Sequence, residues 1–139
     1  MSVRPINLES DLPAVLEWWA KRGSKMPAAA FLPAQGFIAE LNGVLVAASW
    51  LYVVPGTKGG IGIIEFTATN PNVATSRDLL IAVKELYAVV EQAAWDGGCG
   101  SVLSFVAPGS SEEHIMKRGG WNDITGGVHH LMLGRVRCL

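Results

Sequence analysis

One carboxylate interrupts an otherwise apolar stretch of this sequence. Glu65 follows the run Ile61 to Ile64 and precedes Phe66. A carboxyl group among apolar side chains tends to have a raised pKa, because desolvation disfavours its charged form. A carboxyl group that titrates nearer neutrality suits general-base chemistry. Glu65 is therefore the first candidate for a catalytic base, and the alternative is a carboxylate at a strand edge or paired with an arginine.

Histidine and cysteine do not form a pattern typical of a metal site. Cys99 and Cys138 lie far apart in the chain, and there is no Cys-x-x-Cys motif. The adjacent His129 and His130 would point to opposite faces of a strand, so they are poorly placed to ligate one metal ion. These histidines remain second candidates for the base. The sequence predicts no metal, no disulfide framework and a cytoplasmic location.

Composition excludes several classes of protein. The chain has 139 residues, of which 50% are hydrophobic and 17% charged, and its formal net charge is -1. The hydrophobic content is too high for a disordered chain, and the basic excess that binds nucleic acid phosphates is missing. The longest run without a charge or histidine, residues 41–57, is short and contains turn residues, so it is not a membrane span. No nucleic acid or membrane partner is expected.

The apolar surplus also bears on self-association. The C-terminal strand predicted over Val128 to Leu139 contains Met132 and Leu133, which a small domain would leave partly exposed. A contiguous apolar surface of this kind is typical of an interface. Together with Trp18, this strand predicts a homodimer.

Turn residues and periodicity predict an α+β fold. Asn42-Gly43 between two apolar runs is typical of a type I′ hairpin turn, and the run Ile61 to Thr69 adds a third antiparallel strand. From Ser76 the apolar spacing becomes helical. We predict one domain with a mixed, mostly antiparallel sheet flanked by helices, in the order β-α-α-β-β-β-α-β-α-β. The stripe of the long helix comprises Leu79, Leu80, Val83, Leu86, Tyr87 and Val90.

Two further helix starts can be recognised. Ser10 is predicted as the N-cap of the first helix, and Ser110 with Glu113 forms a capping box before a short one. Trp18 and Trp19 are adjacent in the first helix, and successive helical residues do not share a face. Trp19 continues the apolar stripe. We therefore expect Trp18 to point aside, into a pocket or towards another chain.

Three stretches of the chain follow the pattern of a known family. Ala39 to Ala47 contains the Asn-Gly hairpin, Glu65 to Pro71 contains a strand and a proline turn, and His114 to Trp121 ends with glycine before an aromatic residue. With the element order, these stretches resemble the GCN5-related N-acetyltransferase superfamily from Arg4 to Arg137. The resemblance implies an acyl-CoA N-acyltransferase-like fold over residues 1–139. It also implies transfer of an acetyl group from acetyl-CoA to a primary amine by direct attack.

The resemblance also implies where acetyl-CoA would bind. A strand N–H would polarise the thioester carbonyl, and the N-terminus of the following helix would receive the pyrophosphate. The strand residues expected at the coenzyme are Thr67, Ala68 and Thr69. The family's glycine-rich loop is absent, so hydroxyls of Thr75 and Ser76 and the guanidinium of Arg77 would supply the donors. The alternative is that Ser76 is an ordinary N-cap and Arg77 is solvated.

The remaining roles follow from the same resemblance. Glu65 would act as the base through a water molecule, whereas Met116 occupies the position of the family's tyrosine acid. The acceptor, a small-molecule or peptide amine, would enter near the first helices, so Trp18, Trp50 and Tyr52 are predicted to form its pocket. Packing is the alternative role for these three residues.

Two other interpretations stay open. The missing glycine loop and tyrosine favour a catalytically inactive protein of the same fold that serves in ligand binding or assembly. A phage origin is compatible with this interpretation. The other interpretation is an unrelated α+β binding domain with the same element order.

Overall fold

The computed structural model describes residues 1–23, 29–73 and 75–124, and the backbone of 131–136. A short 3₁₀ turn, Ala29–Phe31, precedes the second strand. The helices and strands in chain order are β1 (Ser2–Pro5), α1 (Leu12–Lys21), β2 (Gln35–Leu41), β3 (Val44–Gly56), β4 (Gly59–Thr69), α2 (Ser76–Asp96), β5 (Cys99–Val106), α3 (Ser111–Arg118), β6 (Asn122–Asp123) and β7 (Leu131–Val136).

The strands join in a sheet of the order β1-β2-β3-β4-β5-β7-β6. β1 with β2, β2 with β3, β5 with β7, and β6 with β7 are antiparallel, whereas β4 and β5 are parallel. A parallel pair requires a crossover connection, and α2 supplies it. The predicted mixed, mostly antiparallel sheet flanked by helices is confirmed. Of the C-terminal strand predicted over Val128 to Leu139, the described part is the backbone of β7.

The β2–β3 turn confirms the hairpin expected from Asn42-Gly43. Asn42 has φ 52° and Gly43 has φ 79°, so both central residues adopt the left-handed conformation that a type I′ turn requires. The register pairs Leu41 with Val44 directly across this turn. The local sequence therefore determined this connection.

Contacts between Cα atoms group the chain into two compact units. The first comprises Met1–Leu51 and Phe66–Val90, and the second comprises Tyr52–Glu65 and Glu91–Leu139. β3, β4 and α2 contribute residues to both units. That the chain forms a single domain over residues 1–139 stays a prediction.

The first unit has a core beneath α1. Trp18 and Trp19 are each 4% exposed and belong to the same buried cluster, so the prediction that Trp18 points aside is wrong. The indoles are large enough to widen the buried face of α1 beyond a narrow stripe. The ring centroids of Trp19 and Trp50 lie 5.3 Å apart. The cluster comprises Leu12, Val15, Trp18, Trp19, Ile38, Ala48, Trp50 and Ala68.

The start of α1 also differs from the prediction. Asp11, and not Ser10, is the N-cap residue, and its carboxylate binds Arg4 of β1 through Nη1 at 2.6 Å and Nη2 at 3.0 Å. The Asn7 amide donates to the same carboxylate at 2.8 Å. The hydrogen bond from Arg4 is the main reason that the pKa of Asp11 lies below its usual value. Asp11 is buried, so this ion pair fastens α1 to β1.

The second unit contains α3, whose predicted capping box is confirmed. The Ser110 hydroxyl accepts a hydrogen bond from the Glu113 amide at 3.2 Å. The Glu113 carboxylate in turn accepts from the Gly109 amide and from Lys117 Nζ, and the bond from Lys117 is the main cause of its lowered pKa. The box depends on residues within one helical turn, which is why the sequence predicted it.

Candidate acyl-transfer site

Strand β4 changes its backbone conformation at Phe66. The parallel register with β5 runs from Gly60 opposite Cys99 to Ile64 opposite Ser104. Phe66 has φ 58°, a left-handed conformation that costs a residue with a side chain about 1–2 kcal/mol. Thr67 to Thr69 lie beyond both the last residue pair of that register and the irregular residue. They remain part of β4, which neighbours β3 on its other side, and side-chain contacts add to this pairing.

Side chains from three other elements hold this end of β4. The Thr67 hydroxyl lies 2.9 Å from the Ser49 hydroxyl of β3 and 2.9 Å from the Tyr87 hydroxyl of α2. At the C-terminal end of α1, Arg22 Nε donates a hydrogen bond to the Thr69 carbonyl at 3.2 Å. Between them, Ala68 is 3% exposed in the core beneath α1. These contacts fix the strand segment that the sequence predicted at the thioester.

The turn after β4 is also anchored to β3. Asn70 Nδ2 donates to the Leu45 carbonyl, and the Asn70 amide donates to the Val46 carbonyl, both at 2.8 Å. Its side-chain oxygen accepts from the Asn72 amide at 2.9 Å, which closes a local turn. Asn70 thus determines where the chain leaves the sheet on its way to α2.

At the start of α2, the cap lies one residue earlier than the alternative interpretation, Ser76 as the N-cap, expects. Thr75 Oγ1 accepts a hydrogen bond from the Asp78 amide at 3.1 Å, so Thr75 is the capping residue and Ser76 begins the helix. Ser76 and Arg77 are exposed in the first turn, and Asp78 is half-buried. The Thr75 oxygen is therefore already engaged by the helix, although its hydrogen can still be donated to an anion.

This helix start has the chemistry that a pyrophosphate needs. The N-terminus of a helix carries partial positive charge and outward-pointing amides. The exposed Arg77 adds a permanent cation with several donors. In place of the close backbone approach that glycines allow, this chain offers the side chains of Ser76 and Arg77 in the first turn of α2. The residues present thus fit the phosphates of a CoA substrate.

Glu65, the candidate base, belongs to the second unit and immediately precedes Phe66. Its side chain is half-buried, and its Oε1 atom is shielded from solvent. Met116, at the position that the resemblance gives to an acid, is 2% exposed, and Trp121 is 5% exposed. A thioether cannot donate a proton, so Met116 contributes packing and no acid catalysis.

The predicted acceptor-pocket residues lie in different surroundings. Trp18 and Trp50 are 4% and 0% exposed in the core beneath α1, which is the packing role given as the alternative. Tyr52 is half-buried in the second unit. His129 and His130 lie outside the described residues.

The polar contacts of Ser49 and Tyr87 were not predicted from the sequence. Tyr87 was predicted only as part of the apolar stripe of α2, yet a buried tyrosine hydroxyl needs a polar partner. That requirement, and a threonine near the end of β4, could have indicated the pairing.

The described residues contain neither a metal-ligating cluster nor a membrane-spanning helix. Over residues 1–23, 29–73 and 75–124, no group of three or more His, Cys, Asp or Glu side chains is arranged to hold a metal ion. In the part of the chain that the structure describes, every helix is too short or too polar to cross a bilayer.

Among known proteins, solved structures share the fold of this chain. No family model and no curated protein sequence matches the chain. Solved structures do: Rv2747 from Mycobacterium tuberculosis, in complex with CoA, has a TM-score of 0.74 at 16% identity, covering 99% of this chain and 100% of that one. The ribosomal-protein-S18-alanine N-acetyltransferase from Escherichia coli has a TM-score of 0.70 at 14% identity, covering 99% and 94%. A probable acetyltransferase from Staphylococcus epidermidis has a TM-score of 0.70 at 15% identity, covering 99% of each chain.

Proposed function

The chain has the fold of the GCN5-related N-acetyltransferases, and on this premise we propose that it transfers an acetyl group from acetyl-CoA to a primary amine. The observation that carries the proposal is the path of β4. Its last residues, Thr67 to Thr69, lie beyond the register with β5 and lead through an anchored turn to the exposed start of α2. Amides at the strand end suit a thioester, and the helix start suits a pyrophosphate.

The chemistry of the proposed reaction is direct attack. Glu65, through a water molecule, removes a proton from the ammonium form of the acceptor, and the amine nitrogen attacks the thioester carbon. An amide of the Thr67 to Thr69 segment stabilises the negative charge that develops on the carbonyl oxygen. The C–N bond forms, the C–S bond breaks, and the CoA thiolate leaves. As the tetrahedral adduct collapses to the amide, the nitrogen loses its second proton to solvent. Because Met116 is not an acid, the thiolate takes its proton from solvent.

A calorimetric titration with acetyl-CoA tests the binding half of this proposal. We expect saturable binding, weakened about tenfold by Arg77→Ala, because a charge-assisted bond to phosphate is lost. Arg118→Ala is the matched control, since Arg118 is also exposed but lies on α3. No binding at millimolar acetyl-CoA would contradict the proposed function. Equal binding by the Arg77 and Arg118 variants would contradict only the phosphate assignment.

Turnover separates the enzyme from its inactive alternative. With a panel of small-molecule and peptide amines, release of free CoA thiol measures transfer. We expect transfer by the wild type and a large loss in Glu65→Gln, which keeps the shape of the side chain but removes the base. Binding of acetyl-CoA without transfer to any amine would favour the alternative, a catalytically inactive ligand-binding protein. That alternative has the same fold and also lacks the acid.

The wider assignments remain proposals of the same kind. Acetyl-CoA as the acyl donor, a small-molecule or peptide amine as the acceptor, a cytoplasmic location and a homodimer are each consistent with this function. The predicted dimer surface at Met132 and Leu133 involves side chains outside those that the structure describes.

A further inference from the structure

Three hydroxyl groups from successive elements form a chain in the first unit. The Thr67 hydroxyl of β4 is central, with Ser49 of β3 on one side and Tyr87 of α2 on the other, each at 2.9 Å. Ser49 is 0% exposed and Tyr87 is 4% exposed. Ala48, Trp50 and Ala68 belong to the core beneath α1, and side chains alternate along a strand, so Ser49 and Thr67 point to the opposite face, where Tyr87 of α2 meets Thr67.

Close packing alone does not call for these hydroxyls. Valine has the shape of threonine, phenylalanine lacks only the hydroxyl of tyrosine, and alanine is slightly smaller than serine, so an apolar set would fill nearly the same space. The hydroxyl groups add directional hydrogen bonds, which apolar side chains of the same shape would lack. A threonine hydroxyl has one hydrogen to donate and lone pairs to accept, and two partners at hydrogen-bond distance fix its side-chain rotamer.

Thr67 lies where the orientation of its side chain affects the placement of the β4 backbone. Phe66, immediately before it, has a left-handed backbone, and the parallel ladder to β5 ends at Ile64. The segment that begins at Thr67 therefore lies past the ladder to β5, and its placement depends on β3, its neighbour on the other side, together with these side-chain contacts. The same segment supplies the amides that the proposed function assigns to the thioester carbonyl.

We propose that the chain Ser49–Thr67–Tyr87 is a positioning device that sets the β4 amides at the distance and angle needed to polarise the acyl-donor carbonyl. Ser49 and Tyr87 act through Thr67, so they are positioning residues and do not touch the substrate. This inference rests on the proposed function. Its physical basis is that stabilisation of a developing oxyanion depends on preorganised donors, and small displacements of a donor weaken it.

The experiment is isotope-edited infrared spectroscopy of acetyl-CoA labelled with ¹³C at the thioester carbonyl and bound to the protein. A hydrogen bond to the carbonyl lowers its stretching frequency, and this readout needs no knowledge of the acceptor. We expect a lowered frequency with the wild type. In Tyr87→Phe and Ser49→Ala most of this lowering is lost, while the dissociation constant for acetyl-CoA stays the same, because the phosphate contacts are intact. Thr67→Ser, which keeps the hydroxyl, retains the wild-type frequency, whereas Thr67→Val does not.

Ser104→Ala is the matched control for Ser49→Ala. Ser104 is 1% exposed and donates to the Ile64 carbonyl at 3.1 Å. Its substitution therefore also deletes a buried hydroxyl beside β4, but one that does not belong to the hydroxyl chain Ser49–Thr67–Tyr87. We expect it to lower stability and to leave the carbonyl frequency unchanged. Circular dichroism establishes that each variant is folded before its spectrum is recorded.

The outcomes separate this inference from the function on which it rests. If the wild type does not bind acetyl-CoA, the proposed function fails and the inference fails with it. If the wild type binds and lowers the frequency, but Tyr87→Phe and Ser49→Ala lower it equally, the inference is overturned and the function stands. The inference is also overturned if Ser104→Ala changes the frequency as much as Ser49→Ala does.

Discussion

Gly36 of β2 lies directly opposite Trp50 of β3, and a Cβ atom at position 36 would come within 2.6 Å of the indole Nε1. Trp50 is fully buried and also packs against Trp19. The indole thus occupies the space that a side chain on β2 would fill. The glycine and the tryptophan form one packing unit in the core beneath α1.

This contact predicts that Gly36→Ala is destabilising. The added methyl group would displace an indole that has no room to move, and such overpacking costs about 1–3 kcal/mol. Urea unfolding followed by tryptophan fluorescence measures the change. An unchanged midpoint would show that Trp50 can shift, contrary to this account.

Gly43→Ala provides a contrast, because space is not the limit there. A Cβ atom at Gly43 would meet nothing within 4 Å, but its φ of 79° is unfavourable for alanine. We expect a loss of about 1 kcal/mol from backbone strain. Asn42→Gly is the control in the same turn and should be nearly neutral, since glycine accepts a positive φ. Equal losses in both variants would contradict the strain explanation.

The ion pair between Arg4 and Asp11 predicts a dependence of stability on pH. The pKa of Asp11 is lowered from 3.8 in the folded state, chiefly by the hydrogen bond from Arg4. The stability contributed by this carboxylate is therefore complete above its unfolded-state pKa and is lost as the pH falls through the lower folded-state pKa.

Arg4→Ala should cost about 1–2 kcal/mol at neutral pH, at the lower end because Arg4 is 40% exposed and solvent screens the pair. The difference from wild type should shrink as the pH falls below the folded-state pKa of Asp11. Urea unfolding at a series of pH values measures it. A difference that persists undiminished after Asp11 is protonated would point to lost packing of the arginine stem instead.

The hydrogen bond at the Thr75 cap predicts different stabilities for two variants at the start of α2. Thr75→Ala removes the acceptor of the Asp78 amide and should lower the free energy of unfolding by about 1 kcal/mol. Thr75→Ser keeps the oxygen and should retain most of the stability. Thermal unfolding without ligand is the measurement. If serine were as damaging as alanine, the methyl group and not the cap would be the cause.

Features encoded by neighbouring residues were predictable from the sequence. The hairpin at Asn42-Gly43 and the capping box from Ser110 to Glu113 each depend on a few consecutive residues, and both are confirmed. Most of the element order followed from the same kind of local pattern, including the crossover helix α2 between two strands, although the short strand β6 was not predicted.

Features that depend on distant partners were not predictable. Asp11, and not Ser10, is the N-cap residue of α1, and its carboxylate binds Arg4 of β1; sequence spacing does not show that pairing. The burial of Trp18 depends on how far an indole reaches across the sheet. The left-handed Phe66 and the contact of Thr67 with Tyr87 depend on the three-dimensional packing around β4.

The crossover between β4 and β5 also bears on the folding pathway. Gly60 to Ile64 can pair with Cys99 to Ser104 only after the intervening chain, including α2, has closed a long loop, whereas β2 and β3 meet across two residues. Loop closure costs entropy before the contacts it brings are formed. We therefore expect the β2–β3 hairpin to be structured in the folding transition state and the β4–β5 ladder to form late, so that mutations in β5 mainly accelerate unfolding.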